Sequence, residues 1–354
     1  MIPTYSTTIR RKEMDAVLTC MVDEKIGPGE LNSKLIQQVK EFIKCDGACA
    51  LRSPSIALKY ALQALDFEAG RKVMISALAP AWQYQTLVSM GYEPLVLDVD
   101  ETTGVVSVEI VENGIKEGGS LLILHETEGI IPDVQGICQL GVPVIEDISQ
   151  SAGATVAVKN ENGETTEERV QVGTFGVFTI LGLEERDVIT AGGGAVLISA
   201  GRREWIVLKH ILESCPVTDL LPDINSALAW VQVREYPRNE NTRKEIFSLY
   251  QRACMVGRHK MYARESDEGS TASCFPLVLN SSFKDVKQYT AKKDIEIQLA
   301  YEGSVIAMSE LSESLSDKCI HAKSLYLRCV HFPLYPRLTH AESAKIVKVL
   351  GSLP

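Results

Sequence analysis

The sequence is notable first for what it lacks. Its nine cysteines, at 20, 45, 49, 138, 215, 254, 274, 319 and 329, form no CxxC pair and no Cys/His spacing of the zinc type. No disulfide framework and no metal site is therefore expected. Cys45 and Cys49 flank an Asp-Gly turn and would supply at most half a site; reduced thiols packed in a cytoplasmic protein are the simpler reading. The first residues, MIPTYSTTIRRKEMDAVL, contain no apolar signal core, and no run reaches membrane-spanning length. The net charge of −10, without clustered Lys and Arg, excludes a non-specific nucleic-acid binder. No internal repeat is present. The absence with the largest consequence is local: between Lys159 and Lys209 there is no lysine.

What is present is an ordinary foldable composition, 45% hydrophobic and 23% charged, in a chain of 354 residues. That length suits one large domain and a smaller one. Residues 11–24 and 30–44 read as amphipathic helices around the Gly27-Pro28-Gly29 turn. Short apolar β-rich runs follow at 48–51, 72–76, 93–98, 121–125, 143–146, 177–180 and 195–199, with helices between many of them. Ser53-Pro54-Ser55 opens one such helix, because proline at the first helical position gives up a donor that would be unpaired anyway. This alternation predicts an α/β fold: a three-layer α/β/α domain with a mostly parallel sheet over residues 1–240, N-terminal helices included. Residues 241–354 are expected to form a smaller α+β domain. The polar stretch 159–169 reads as an exposed hairpin or loop, 222–235 and 238–257 as two helices, 275–280 and 304–307 as strands, and 339–350 as a final helix.

Open α/β sheets bind ligands beyond the carboxyl ends of their strands, so the polar residues just after each strand carry the chemistry. They are Arg52-Ser53-Pro54-Ser55, His125, Asp147-Ile148-Ser149-Gln150 with Ser151-Ala152-Gly153-Ala154, and Thr179 ahead of Gly192-Gly193-Gly194. Gly91-Tyr92-Glu93-Pro94 with Asp98, His125…Gly129…Asp133, and Phe332-Pro333-Leu334-Tyr335-Pro336 accompany them. With the string from Val144 to Ala154, these segments resemble the DegT/StrS family of PLP-dependent nucleotide-sugar aminotransferases, fold type I, over nearly the whole chain. Glu-Asp-x-x-Gln-x-x-Gly-Ala is the specific part.

The resemblance implies a PLP-transferase-like fold, a PLP or PMP cofactor, a nucleotide-sugar substrate, a homodimer and a place in polysaccharide biosynthesis. By the same resemblance Asp147 lies against the pyridine nitrogen and Gln150 faces the ring's 3-oxygen. Ser55 and Thr179 flank the phosphate, and Trp82 is the candidate ring-stacking aromatic. The sequence departs from the family at the Schiff-base lysine. Counting from Phe178 reaches Glu184, and counting back from the glycines reaches Arg186, with Glu185 between them. Glutamate is no amine and arginine keeps its proton, so neither forms an imine. Two further departures agree: Pro54 replaces the glycine of the phosphate turn, and residues 218–225, ending in Asn225, lack the family's Asn-x-Arg. The main expectation is a divergent member without normal transaminase activity that keeps a PLP/PMP or nucleotide-sugar pocket, the cofactor held non-covalently. An active aminotransferase or lysine-free dehydratase-like enzyme, and a cofactor-free scaffold or partner subunit, remain as alternatives.

Overall fold

Short strands with every side chain buried on both faces form the centre of the molecule, and they need cover on both sides. The computed structural model describes residues 1–159, 165–255, 257–264 and 269–354. The large sheet contains β1 (Gly47–Leu51), β2 (Lys72–Ser76), β3 (Glu93–Leu97), β4 (Gly119–His125) and β5 (Val144–Asp147). A two-stranded ribbon, β6 (Thr155–Lys159) with β7 (Thr165–Gln171), interrupts the chain before β8 (Phe178–Gly182) and β9 (Ala195–Ser199) complete the sheet. Its order is β1-β9-β8-β5-β4-β2-β3. Only β9 runs against its neighbours; every other pairing in this sheet is parallel.

The three layers follow from two apolar clusters. On one face, Leu58, Leu62, Met74, Leu122 and Phe178 pack under the helices between the strands. On the other, Leu35, Val39 and Ile43 of the helix Glu30–Ile43 meet Ala50, Leu181 and Val196 of the sheet, joined by Val233. Asp223 fixes that helix by accepting from the backbone N–H groups of Gly29, Leu31 and Asn32, donors that a helix start leaves unpaired.

A second, three-stranded sheet lies towards the C-terminus: β10 (Phe275–Val278), β11 (Gln298–Leu299) and β12 (Cys329–Phe332), in the order β10-β12-β11. Tyr250, Phe275, Phe332 and Ile346 form its core with the final helix His340–Leu350. Ile2 joins the same cluster and bridges to Ile295.

Two sequence expectations are corrected. The two helices expected at 222–235 and 238–257 are one, Asp223–Cys254, which passes through Pro237 and carries the chain across residue 240 without a break. The strand expected at 304–307 is a single 3₁₀ turn, Val305–Ala307, because its N–H groups donate to Ala79 and Ala77 beyond β2 rather than to a sheet partner. Of the expected exposed stretch 159–169, residues 165–169 lie in β7, and 160–164 fall outside the described residues.

Candidate cofactor site

The carboxyl ends of β2, β4, β5 and β8 open on one cavity of about 240 Å³. Trp82, His125, Gln150, Glu184, Arg186 and Asp187 line it. Trp82 comes from the first turn of the helix Ala81–Ser89 after β2, His125 ends β4, and Gln150 follows β5. The last three come from the loop between β8 and β9.

Asp147, the last residue of β5, is fully buried behind this lining, paired in register with His125 of β4. One carboxylate oxygen accepts from Ser149 through both the backbone N–H (3.2 Å) and the hydroxyl (2.5 Å). The other accepts from Gln83 Nε2 at 2.8 Å and faces His125 Nδ1 at 3.0 Å. Burial opposes its charge, but His125 and the Ser149 hydrogen bonds outweigh burial and hold the carboxyl below its ordinary range. Gln83 is itself buried, and its amide oxygen has no partner. Its NH₂ thus gains the carboxylate as acceptor while its buried oxygen goes unpaired, at a cost in free energy.

Strand alternation sends the neighbouring Glu146 to the opposite face. There it accepts from the N–H groups of Gly173, Phe175 and Gly176 at 2.9, 2.8 and 2.5 Å, tying down the turn before β8. Burial, partly offset by those N–H groups, raises its pKa. Glu126, raised well above the ordinary value by burial and by the Glu146 charge, accepts from the Ser151 hydroxyl.

The loop that lacks the lysine is a closed structure. Leu183 N–H donates to Gly194 O, and both Ala191 and Gly193 N–H donate back to Leu183 O. Glu184, Glu185 and Arg186 are exposed. The Arg186 guanidinium stacks 4.4 Å from the Tyr5 ring centroid and donates to Gln298 Oε1 at 3.2 Å, bracing the loop against the N-terminal segment and β11. Asp187 turns inward instead. Its carboxylate accepts from Glu184 N–H at 2.8 Å and fits beside Ser149 only because Gly182 has no side chain: a Cβ there would stand 2.4 Å from Asp187 Oδ2. Burial, against the Glu184 N–H and with the nearby charges of Asp147 and Glu184, raises this carboxyl from 3.8 to about 8. Where the resemblance asks for an amine, the chain presents a carboxyl group whose proton is held more tightly than usual. Asp187 was not among the sequence candidates, since beside Glu-Glu-Arg it reads as part of a solvated charge run.

The phosphate side is different again. Ser53 Oγ accepts from Ile56 N–H, so the helix Pro54–Ala64 caps itself, and Pro54 offers no donor. Ser55 Oγ accepts from Thr86 Oγ1 at 2.9 Å, and the buried Thr179 hydroxyl donates to Gly173 O at 2.9 Å. Neither side chain lines the cavity, although Pro54 does. Asn225 Nδ2 donates to Ala191 O at 2.9 Å. The structure therefore brings together Trp82, Gln150, Glu184 and Arg186 around the cavity with Asp147 behind it, and leaves Ser55, Thr179 and Glu185 outside. A carboxylate held below its ordinary pKa range and an aromatic fit a pyridine ring. The self-capped turn and the acid loop do not fit the phosphate cradle and covalent lysine of the family.

This mostly parallel sheet with its helices is the α/β architecture of the sugar aminotransferases. Spr1654 from Streptococcus pneumoniae, solved in a PMP form, superposes with a TM-score of 0.84 at 16% identity, covering 97% of this chain and 95% of that one. It has also been solved in a PLP form. The sugar aminotransferase CalS13 from Micromonospora echinospora superposes at 0.83 with 16% identity, covering 99% of both chains. At sequence level, GDP-perosamine synthase from Vibrio cholerae is 24% identical over 204 residues, 56% of this chain and 53% of that protein. L-glutamine:2-deoxy-scyllo-inosose aminotransferase from Micromonospora echinospora is 26% identical over 162 residues, 44% of this chain and 36% of that protein. The match thus spans about half the length of the first relative and about a third of the second. The profile of the DegT/DnrJ/EryC1/StrS aminotransferase family matches residues 7–351, and the chain belongs to that family.

Proposed function

We propose that this chain is a family member that does not transaminate through an internal lysine imine. Its cavity serves PLP or PMP held without a covalent bond, together with a nucleotide sugar. The observation that carries this reading is the β8–β9 loop: exposed Glu184–Arg186 and an inward Asp187 carboxyl stand where an amine is needed, and no lysine lies between 159 and 209. PMP brings its own amine and needs none from the protein.

When bound, the pyridine ring supplies an electron sink for bonds broken next to it. Asp147 would hold the ring nitrogen once the Gln83 amide yields its oxygen, with His125 and Ser149 keeping the carboxylate ionised and oriented. Trp82 and Gln150 would bound the ring from the cavity side. Asp187, whose pKa burial raises to about 8, is placed to give or take a proton at its carboxyl. The chain acts as a homodimer in this reading. Met14, Leu18, Met21 and Val22, exposed at helical spacing on the helix Arg11–Val22, offer an apolar stripe for the contact. Among the described residues no helix is long and apolar enough to cross a membrane.

The test is an absorbance titration of the purified protein with PLP, followed by borohydride reduction and intact-mass measurement of the same sample. Saturable binding with a free-aldehyde spectrum and no mass gain is expected. An imine band with a PLP-sized mass increase on one peptide overturns the reading and locates the amine responsible.

A further inference from the structure

We propose that Glu128, Cys274 and His331 form a three-ligand site for a zinc-class divalent cation, opening on the edge of the same cavity. Their ligand atoms lie within 4.8 Å of one another, the one such group among the described residues. The three come from separate parts of the chain: the 3₁₀ turn after β4, the residue before β10, and β12. Folding therefore assembles a ligand set that no sequence spacing could reveal. His331 Nε2 lies 2.5 Å and Cys274 Sγ 2.6 Å from the same oxygen, Glu128 Oε2. Sulfur and nitrogen thus converge on one carboxylate oxygen. A cation between the three would spread them to coordination distances of about 2.0–2.3 Å from the metal.

The surroundings are arranged as a metal site requires. The other imidazole nitrogen, Nδ1, is engaged by the Tyr5 hydroxyl, whose ring meets the imidazole edge-on at 5.6 Å. The hydroxyl can accept from Nδ1–H, the tautomer that leaves Nε2 free to ligate. Arg264 donates to Glu128 O at 3.4 Å and to Thr271 O at 3.2 Å, holding two of the ligand-bearing segments together. Glu128 keeps its place in a left-handed backbone conformation (φ 59°), with its N–H donating to Gln150 Oε1 at 2.7 Å. Cation selection follows from ligand chemistry: one thiolate and one imidazole favour zinc or cobalt over magnesium or calcium. A dication balanced by thiolate and carboxylate is neutral, which makes the burial of Glu128 and His331 tolerable. Binding releases the thiol proton to solvent. Three protein ligands leave a fourth position for water or a small ligand, and of the three Glu128 also lines the cavity.

The site does not depend on PLP binding and is tested without it. Chelator-stripped full-length protein is expected to take up about one zinc per chain, unaffected by excess magnesium. Cobalt is expected to give a thiolate-to-metal charge-transfer band that Cys274→Ser abolishes and Cys45→Ser retains. Tyr5→Phe should keep that band while weakening affinity about 10–100-fold. Metal loading of the native chain should also slow alkylation of Cys274, read by peptide mass, which covers a Cys274→Ser chain that does not fold. No zinc uptake by folded protein, a cobalt band that survives Cys274→Ser, or an unchanged alkylation rate each overturns the site.

Discussion

Burial holds the Asp187 carboxyl protonated up to about pH 8, whereas in the unfolded chain it ionises near 3.8. Between those values the folded chain binds the extra proton, so this group's contribution to stability falls as pH rises through the window and is level above it. Asp187→Asn, which keeps the shape without the charge, should match the parent near the acid end. Near the alkaline end it should be more stable by a few kcal/mol, the roughly 1.4 kcal/mol per pH unit being reduced by solvent screening because Asp187 is only half-buried. Urea midpoints at the two ends check this, and an equal difference at both would show that the carboxyl does not carry the shift. Glu126 and Glu146 are raised in the same direction, so the difference between variant and parent is the quantity to read. At this scale the sequence was legible where a motif coincides with a strand end. The Glu-Asp string puts Asp147 at the last position of β5, beside the cavity. Side-chain direction was not legible: Ser55 and Thr179 stand at the motif positions, yet their hydroxyls are engaged with Thr86 and Gly173. Nor was the burial of Asp187, which depends on the missing side chain of Gly182 across the loop.

Among the elements, the long helix Asp223–Cys254 is the one local rules misjudge. Pro237 lacks an N–H and clashes with the preceding turn, so a break there is the sound expectation from sequence. The helix continues because both halves are anchored, the first by Ala229 and Val233 against the N-terminal helical layer and the second by Ile246 and Tyr250 in the C-terminal core. Pro237 itself is exposed. Pro237→Ala should therefore stabilise the chain by about 1–3 kcal/mol. A thermal midpoint unchanged or lowered would mean that Pro237 costs this helix nothing. Strands β1, β2, β4, β5, β8 and β9 were readable because burial on both faces writes continuous apolar runs. β12 was not, since Cys-Val-His-Phe mixes its signals and takes its place only through β10 and β11.

For the molecule as a whole, alternation of strand and helix was enough to expect a three-layer sandwich, while the order of the sheet and the reversal of β9 needed the coordinates. The apolar stripe on the helix Arg11–Val22 bears on assembly. Light scattering on a sizing column should give twice the 38.9 kDa of one chain, and Leu18→Glu with Met21→Glu should return it to a single chain. A parent that elutes as one chain removes the dimer.

The placement of Trp82 has an optical consequence. The protein has three tryptophans, and the other two are engaged elsewhere: Trp205 lies over Gly47, and Trp230 is covered by the Arg234 guanidinium 4.7 Å from its ring. Trp82 alone borders the cavity. The unlabelled chain thus carries its own fluorophore in the wall of its site, with two indoles outside that lining as a steady background, and anything that enters reports itself in the ultraviolet emission.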